Sequence, residues 1–508
     1  MDVRRVSTAL SRAPAGLGAP LVRVEAHLGS GLPAFFLVGL PEAAVRESRE
    51  RVRSALLTAG FEFPHGRLTV NLSPADLPKE GGRFDLPIAV GILAASGQLP
   101  HAALAGREFY GELGLGGELR ETPQLLPALL AGARAGAELI LPAANAHEAS
   151  LVAGPSIKLA RHLLAVCNAL RGGEALPTAA VRGAAVGPPP PDLADVRGQC
   201  GAKRALEIAA AGGHALLMIG PPGAGKTMLA QRLPGLLPPL GERDALEVAS
   251  VESAAGARPS LRRCPPFRCP QHTASMAALV GGAAFRPGEL SLAHCGVLFL
   301  DELPEFPRNA LEALREPLEC GVVSIARARR THEFPARFQL VAAMNPCPCG
   351  YAGDSRGDCR CTQEQIARYR NKVSGPLLDR IDMHVPLSPV PVAHLLPEGL
   401  PAAETSAAVA GRVAAARALQ QRRQGKLNSW LTPVEAQRAC PLDRESRALA
   451  AAAALRFGFS SRGLHRILTL ARTGADLAAE PDIRPPHVAE AIGFRMLDRR
   501  PFHGNGGS

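Results

Sequence analysis

The 508-residue chain has room for about three domains of ~150 residues each, and its 46% hydrophobic and 20% charged residues lie in the range of globular proteins rather than disordered ones. The net charge of +11 and isoelectric point near 9.4 favour an anionic partner, nucleic acid first, although the arginine, alanine, glycine and proline usage of a GC-rich genome produces the same balance. Residues 1–10 are polar and basic without the apolar core of a secretory signal, and no stretch approaches the ~18 apolar residues of a membrane span, so a cytoplasmic chain without membrane contact is expected and its eleven cysteines do not suggest a disulfide framework.

Residues 1–171 mix alternating apolar stretches, as at 67–72, with helical periodicity, as at 87–96, and predict an α+β unit. Residues 172–192 are rich in Gly, Ala and Pro and end in four prolines, Pro188 to Pro191, which cannot continue a helix or a central strand; they predict a linker. The span 193–390 predicts an α/β domain and holds the strongest motifs. A Pro- and Ala-rich loop over 386–404 leads into an Ala- and Arg-rich third segment, 391–503, that reads as helices, and 504–508 predict a disordered tail.

Residues 214–219 (HALLMI) are a short apolar run of the kind that forms a buried parallel strand. They run directly into Gly220, Pro221, Pro222, Gly223, Ala224, Gly225, Lys226 and Thr227, which fit GxxxxGK[ST], and then into a predicted helix over 228–233 beginning at Met228. The glycines let backbone N–H groups wrap phosphates, Lys226 offers a charge to the β- and γ-phosphates, and Thr227 offers a hydroxyl to magnesium. The start of the helix adds a favourable dipole. ATP and Mg2+ are therefore expected.

A second apolar strand, 296–300 (GVLFL), ends in Asp301 and Glu302. About seventy residues after a phosphate loop, the aspartate suits magnesium binding through water and the glutamate suits activation of the attacking water. A third strand, 338–344, ends in Asn345. That side chain either orients the attacking water or makes the turn before Pro346.

Cys347, Cys349, Cys359 and Cys361 form C-x-C-x9-C-x-C, a spacing that suits a tetrahedral structural zinc, with reduced free cysteines as the alternative. Cys264, Cys269 and His272 read as a coincidental grouping.

With these strand ends in place the chain resembles the ComM/YifB proteins, magnesium-chelatase-like AAA+ ATPases. The likeness runs from Arg4 to Arg500, and its most specific stretches are 287–317 (PGELSLAHCGVLFLDELPEFPRNALEALREP), 342–350 (AAMNPCPCG), 374–382 (SGPLLDRID) and 460–477 (SSRGLHRILTLARTGADL). The resemblance implies an AAA+ core with a C-terminal helical lid, assembled as an ATP-dependent homo-hexamer. It makes Asn345 sensor 1, Arg380 an arginine finger given to a neighbouring subunit, and Arg462 sensor 2. The basic turn in 321–334 (GVVSIARARRTHEF), with Arg327, Arg329 and Arg330, looks like the presensor-1 hairpin of MCM-type motors, where arginines grip strand phosphates; a solvated basic hairpin is the alternative.

The N-terminal segment resembles a Lon-protease-like domain around 79–86 (KEGGRFDL), but no nucleophilic serine stands near Arg83 and no partner lysine near Leu126. The function implied is a DNA helicase that binds single-stranded and branched DNA and drives branch migration in homologous recombination and natural transformation. The rivals are a metal-insertion ATPase, disfavoured by the N-terminal domain and the lack of an acidic integrin-type partner domain, and a non-motor AAA+ regulator or protease.

Overall fold

The computed structural model describes residues 5–39, 43–77, 79, 81–154, 156–181, 183, 188–282, 286–327, 330–353, 359–389 and 403–495, with backbone alone at 43–46, 327 and 330. The expected tail 504–508 lies outside the described residues.

The N-terminal part is built on β1 (Val6–Arg12), β2 (Leu21–Gly29), β3 (Ala34–Val38), β4 (Arg67–Ser73), β5 (Arg107–Phe109), the small ribbon β6 (Glu112–Leu113) and β7 (Leu119–Arg120), β8 (Glu138–Pro142) and β9 (Ile157–Ala160). Its main sheet is mixed, in the order β3-β4-β2-β1-β5-β8-β9. Strands β2 and β4 alternate between faces, as strands with one covered face must: Val22, Val24, Ala26, Leu68, Val70 and Leu72 enter the core, while Arg23, His27 and Arg67 face outward. The helix Asp85–Ala95 is buried along its whole length and packs on β1 and β2. Its sequence, DLPIAVGILAA, is apolar all round, which suits a central helix better than a surface one.

The central part is a parallel sheet of β10 (Leu216–Ile219), β11 (Phe267–Arg268), β12 (Val297–Leu300), β15 (Gln339–Met344) and β16 (Met383–Pro386), with a hairpin of β13 (Val322–Arg327) and β14 (Arg330–Pro335) beside it. Strands β10, β12 and β15 are buried at every residue, so their continuous apolar runs are covered on both faces. They start one or two residues later than the sequence predicts. The order is β11-β12-β15-β10-β16. Because β15 sits between β10 and β12, the ends of these three strands lie side by side on one edge, where parallel sheets bind ligands.

The helix predicted over 228–233 is instead Lys226–Ala230, followed by a 3-10 turn at Leu233–Leu236. Pro234 explains the break: it has no N–H to give, and its ring clashes with the preceding helical turn.

The C-terminal helices are Ser406–Gln424, Pro433–Ala439, Arg444–Phe457, Ser461–Leu477 and Pro485–Gly493. Val409, Val413 and Ala416 of the first share one core with Leu206, Ile208 and Ala209 of the helix Cys200–Gly212, so lid and central sheet pack as a continuous body. The helix Ser461–Leu477 is pinned to the start of the sheet strands: Arg466 pairs with Asp382 at 2.9 Å, and Thr473 Oγ1 lies 2.8 Å from His214 Nε2. Asp382 immediately precedes β16 and His214 stands just before β10.

The segment read as a linker is tied down in several places. Leu159 N–H donates to the Pro177 carbonyl and Ala179 N–H to that of Ile157, extending the edge beyond β9. At the far end, the Asp192 carboxylate accepts from Ala194 N–H and Ser406 N–H, joining the sheet domain to the lid. The N-terminal domain also docks directly: Ser253 Oγ donates to Glu148 at 2.7 Å and Gln124 to the Ala254 carbonyl at 3.0 Å. Among the described residues, no helix is long and apolar enough to cross a membrane.

Candidate functional site

The phosphate loop leaves the end of β10. Gly223 and Gly225 take φ of 75° and 87°, a left-handed region that side chains disfavour, so the loop's curl favours glycine at both positions. The helix that follows is only Lys226–Ala230, so an anion here would rely on the loop amides and Lys226 more than on a long helix dipole. Lys226 Nζ donates to the carbonyls of Gly220 and Pro221 at 2.7 and 3.0 Å and to Asn345 Oδ1 at 3.0 Å. Burial lowers its pKa, and the charges of Asp301 and Glu302 oppose that shift. The ammonium thus rests on oxygen acceptors at the place where a nucleotide's phosphates would replace some of them. Met228, the last of the expected loop residues, is 44% exposed.

Thr227 Oγ1 donates to Asp301 Oδ2 at 2.8 Å. A hydroxyl that donates to Asp301 keeps a lone pair for magnesium, so the pair suits a metal that Thr227 meets directly and Asp301 through water. Asp301 also accepts from the Glu302 N–H at 2.9 Å, and Glu302 has a left-handed backbone with φ 52°. Such conformations in residues other than glycine cluster at functional sites. Glu302 Oε2 lies 3.2 Å from His272 Nδ1. His272, read from the sequence as part of a coincidental Cys/His grouping, therefore stands against the expected general base. Among the described residues, Cys264, Cys269 and His272 do not form a metal-ligand group.

The four cysteines do. One ligand atom from each of Cys347, Cys349, Cys359 and Cys361 lies within 4.8 Å of all the others, with sulfur separations of 3.3 Å for 347–349 and 3.7 Å for 347–359 and 349–359. Tetrahedral zinc with ~2.3 Å bonds places its sulfurs about 3.8 Å apart, so the set fits zinc. Backbone N–H groups of Tyr351 and Arg360 lower the Cys349 thiol to about 6.

Arg380 and Arg462 lie elsewhere. Arg380 comes shortly before β16, whose register pairs Met383 with Leu216 and Pro386 with Ile219. It is therefore at the start of the strands, while the phosphate loop of the same chain is at their end, about 13 Å away along the sheet at ~3.3 Å per residue. Arg380 is 7% exposed and pairs with Glu319 at 2.6 Å; Arg462, at the head of the lid helix, pairs with the same Glu319 oxygen at 3.0 Å. Burial lowers the Arg380 pKa, as do the charges of Arg462 and Arg315, while Glu319 opposes the shift.

In the hairpin, the backbone of Arg327 stands opposite that of Arg330 in the antiparallel register. The side chains of Arg327 and Arg330, and all of Arg329, lie outside the described residues. The hairpin base is braced by the N-terminal domain, where a Cβ on Gly16 would lie 3.4 Å from the Glu333 carbonyl and Leu17 packs on the core that holds Ile325 and Phe334. In that domain Arg83 is buried and donates to the Pro123 carbonyl at 2.7 Å, and Leu126 is fully buried.

The family described as "Magnesium chelatase, subunit ChlI" matches residues 192–395, "Subunit ChlI of Mg-chelatase" matches 24–145, and "Magnesium chelatase, subunit ChlI C-terminal" matches 403–495. The chain is 50% identical over 497 residues to Competence protein ComM of Haemophilus influenzae, covering 96% of this chain and 97% of the relative. It is 48% identical to YifB of Escherichia coli, covering 97% of each. This chain belongs to the ComM/YifB family of magnesium-chelatase-like AAA+ proteins. A third relative, Rv2897c of Mycobacterium tuberculosis, is 43% identical over 97% of this chain and 99% of its own length. Membership of the AAA+ ATPase family implies ATP and Mg2+, which the oxygen and amide donors at the β10 and β12 ends suit.

The sequence carries no local signal for four contributors: His272 at the Glu302 carboxylate, Glu319 between the two arginines, Tyr369, whose phenol is hydrogen-bonded to the Asn345 backbone, and Gly350. A Cβ on Gly350 would meet the Pro222 ring at 2.7 Å.

Proposed function

We propose that this protein is an ATP-driven DNA motor: a homo-hexameric ring that translocates on single-stranded and branched DNA and drives branch migration in homologous recombination and natural transformation. The observation that carries the reading is the position of Arg380 and Arg462 at the opposite sheet edge from their own phosphate loop. Two arginines so placed are remote from their own phosphate loop, which supports a site completed by another copy. The likeness to a protein named for competence supports DNA as the substrate.

In this reading Lys226 and the loop amides hold the β- and γ-phosphates. Thr227, with Asp301 through water, would hold magnesium, which would supply charge neutralisation at the phosphates. Asn345 orients the attacking water and Glu302 takes its proton. Arg380 and Arg462 of the next subunit stabilise the charge spreading over the transferred phosphoryl group. Arg327, Arg329 and Arg330 of the hairpin hold DNA phosphates in the channel. The four cysteines hold a structural zinc, and the N-terminal domain keeps a Lon-protease-like fold without peptidase chemistry.

The family descriptions themselves favour one rival, a metal-insertion ATPase. The test is the ATPase rate of the full chain with and without single-stranded and branched DNA. Strong stimulation by DNA is expected; a rate indifferent to both DNAs would overturn the motor.

A further inference from the structure

We infer that the four-cysteine metal site is a clasp on the nucleotide site, and that binding of ATP depends on the metal it holds. The inference rests on the zinc assignment proposed above. Cys347 and Cys349 follow directly on Asn345, whose side chain accepts from Lys226 Nζ at 3.0 Å. Cys361 is next to Thr362, the N-cap of the helix Gln363–Arg370, and a capping box with Gln365 fixes where that helix begins. The same helix carries Tyr369, hydrogen-bonded to the Asn345 backbone, and Arg370, which donates to the Pro346 carbonyl at 3.4 Å. A metal on all four sulfurs therefore joins the strand end that bears Asn345 to the helix that supports it from behind.

The second path is steric. Gly350 lies between the two cysteine pairs with φ 88°, and its Cα faces the Pro222 ring so closely that a Cβ would stand 2.7 Å from Cδ and 3.0 Å from Cγ. Pro222 is in the phosphate loop itself. The loop of the metal site is thus packed against the backbone that must wrap the phosphates. Cys347 is fully buried and its sulfur accepts from the Ala352 N–H at 3.3 Å, which holds Gly350 inside a closed turn. Removing the metal removes the bonds that tie the strand end bearing Asn345 to the helix bearing Tyr369, and with them the support of Asn345 and of the Gly350 turn against Pro222.

The experiment uses the full chain. Metal content is measured as purified, and affinity for a fluorescent ATP analogue with Mg2+ is measured before stripping with a zinc chelator, after stripping, and after zinc is restored. One zinc per chain and an affinity at least about tenfold weaker after stripping, regained with zinc, are expected. Protein that carries no metal yet binds nucleotide tightly would overturn the zinc assignment and the clasp with it. Protein that carries zinc but binds nucleotide equally well once stripped, while still folded by circular dichroism, would overturn the clasp alone. Should stripping unfold the chain, Gly350→Ala decides. This variant keeps all four thiols and is expected to retain zinc while losing nucleotide affinity; unchanged affinity in the zinc-loaded variant would overturn the inference.

Discussion

Arg380 and Arg462 come from separate elements, the turn before β16 and the head of a lid helix, yet both donate to one oxygen of Glu319, at 2.6 and 3.0 Å. A single carboxylate thus gathers two cations at the sheet edge remote from their own phosphate loop. An anionic γ-phosphate presented there by another copy would meet a pair already assembled, so little reorganisation is needed when it arrives.

Arg380→Ala should therefore be complemented in trans. Each homogeneous variant ring, Arg380→Ala or Glu302→Gln, should be nearly inactive, since removing an arginine finger costs about 10³–10⁵ in turnover. Mixed rings should recover part of the rate, because some interfaces pair an intact arginine with an intact glutamate. Steady-state ATPase of mixtures shown to co-assemble is the measurement, and no recovery at any ratio would argue against a shared site.

Lys226→Ala and Glu302→Gln should fail at different steps. Loss of the half-buried ammonium should weaken nucleotide binding by about 2–5 kcal/mol. Loss of the base should leave binding intact and lower turnover by about 10²–10⁴. Nucleotide titrations beside single-turnover hydrolysis would separate the two, and near-native turnover in both variants would contradict the site.

Replacing Arg327, Arg329 and Arg330 together by alanine should leave basal ATPase in place, because the nucleotide site is built at different strand ends. DNA-stimulated ATPase and strand displacement should fall together, and the salt dependence of single-strand binding should drop by a slope of about 2. A solvated basic hairpin with no role in the channel predicts unwinding at the native rate instead.

His384 in β16 is buried, and desolvation holds its pKa at about 3, with Arg495 pushing in the same direction and Asp382 opposing. Its ordinary value is 6.5, so between these two pH values the unfolded chain binds the extra proton. Stability is fully present above pH ~6.5 and should fall by up to about 1.4 kcal/mol per unit as the pH drops toward 3. Urea unfolding of His384→Gln across pH 7.5 to 5 should show a slope smaller by about one proton. A slope equal to that of the native chain would mean that His384 is not the group responsible.

The phosphate loop, the strands before Asp301 and Asn345, and the cysteine spacing were legible in the linear chain. Each is set by short-range rules: which φ a glycine permits, which apolar run a sheet can cover on both faces, and how far apart thiolates on one turn may stand. The same short-range reading overextended the helix after Thr227, because apolar periodicity was weighed without the break at Pro234. Only the tertiary structure could decide that β15 lies between β10 and β12, since strand order depends on packing between segments as far apart in the chain as Leu216 and Val341. That order puts Asn345 on Lys226. It also puts Arg380 at the far edge, and neither result has a local signature. In the sequence Glu319 carried no reading of its own, and His272 read only as part of a coincidental Cys/His grouping. Glu319 meets Arg380 and Arg462 only once the turn before β16 and the helix Ser461–Leu477 pack beside it, and His272 meets Glu302 only once β11 and β12 lie side by side.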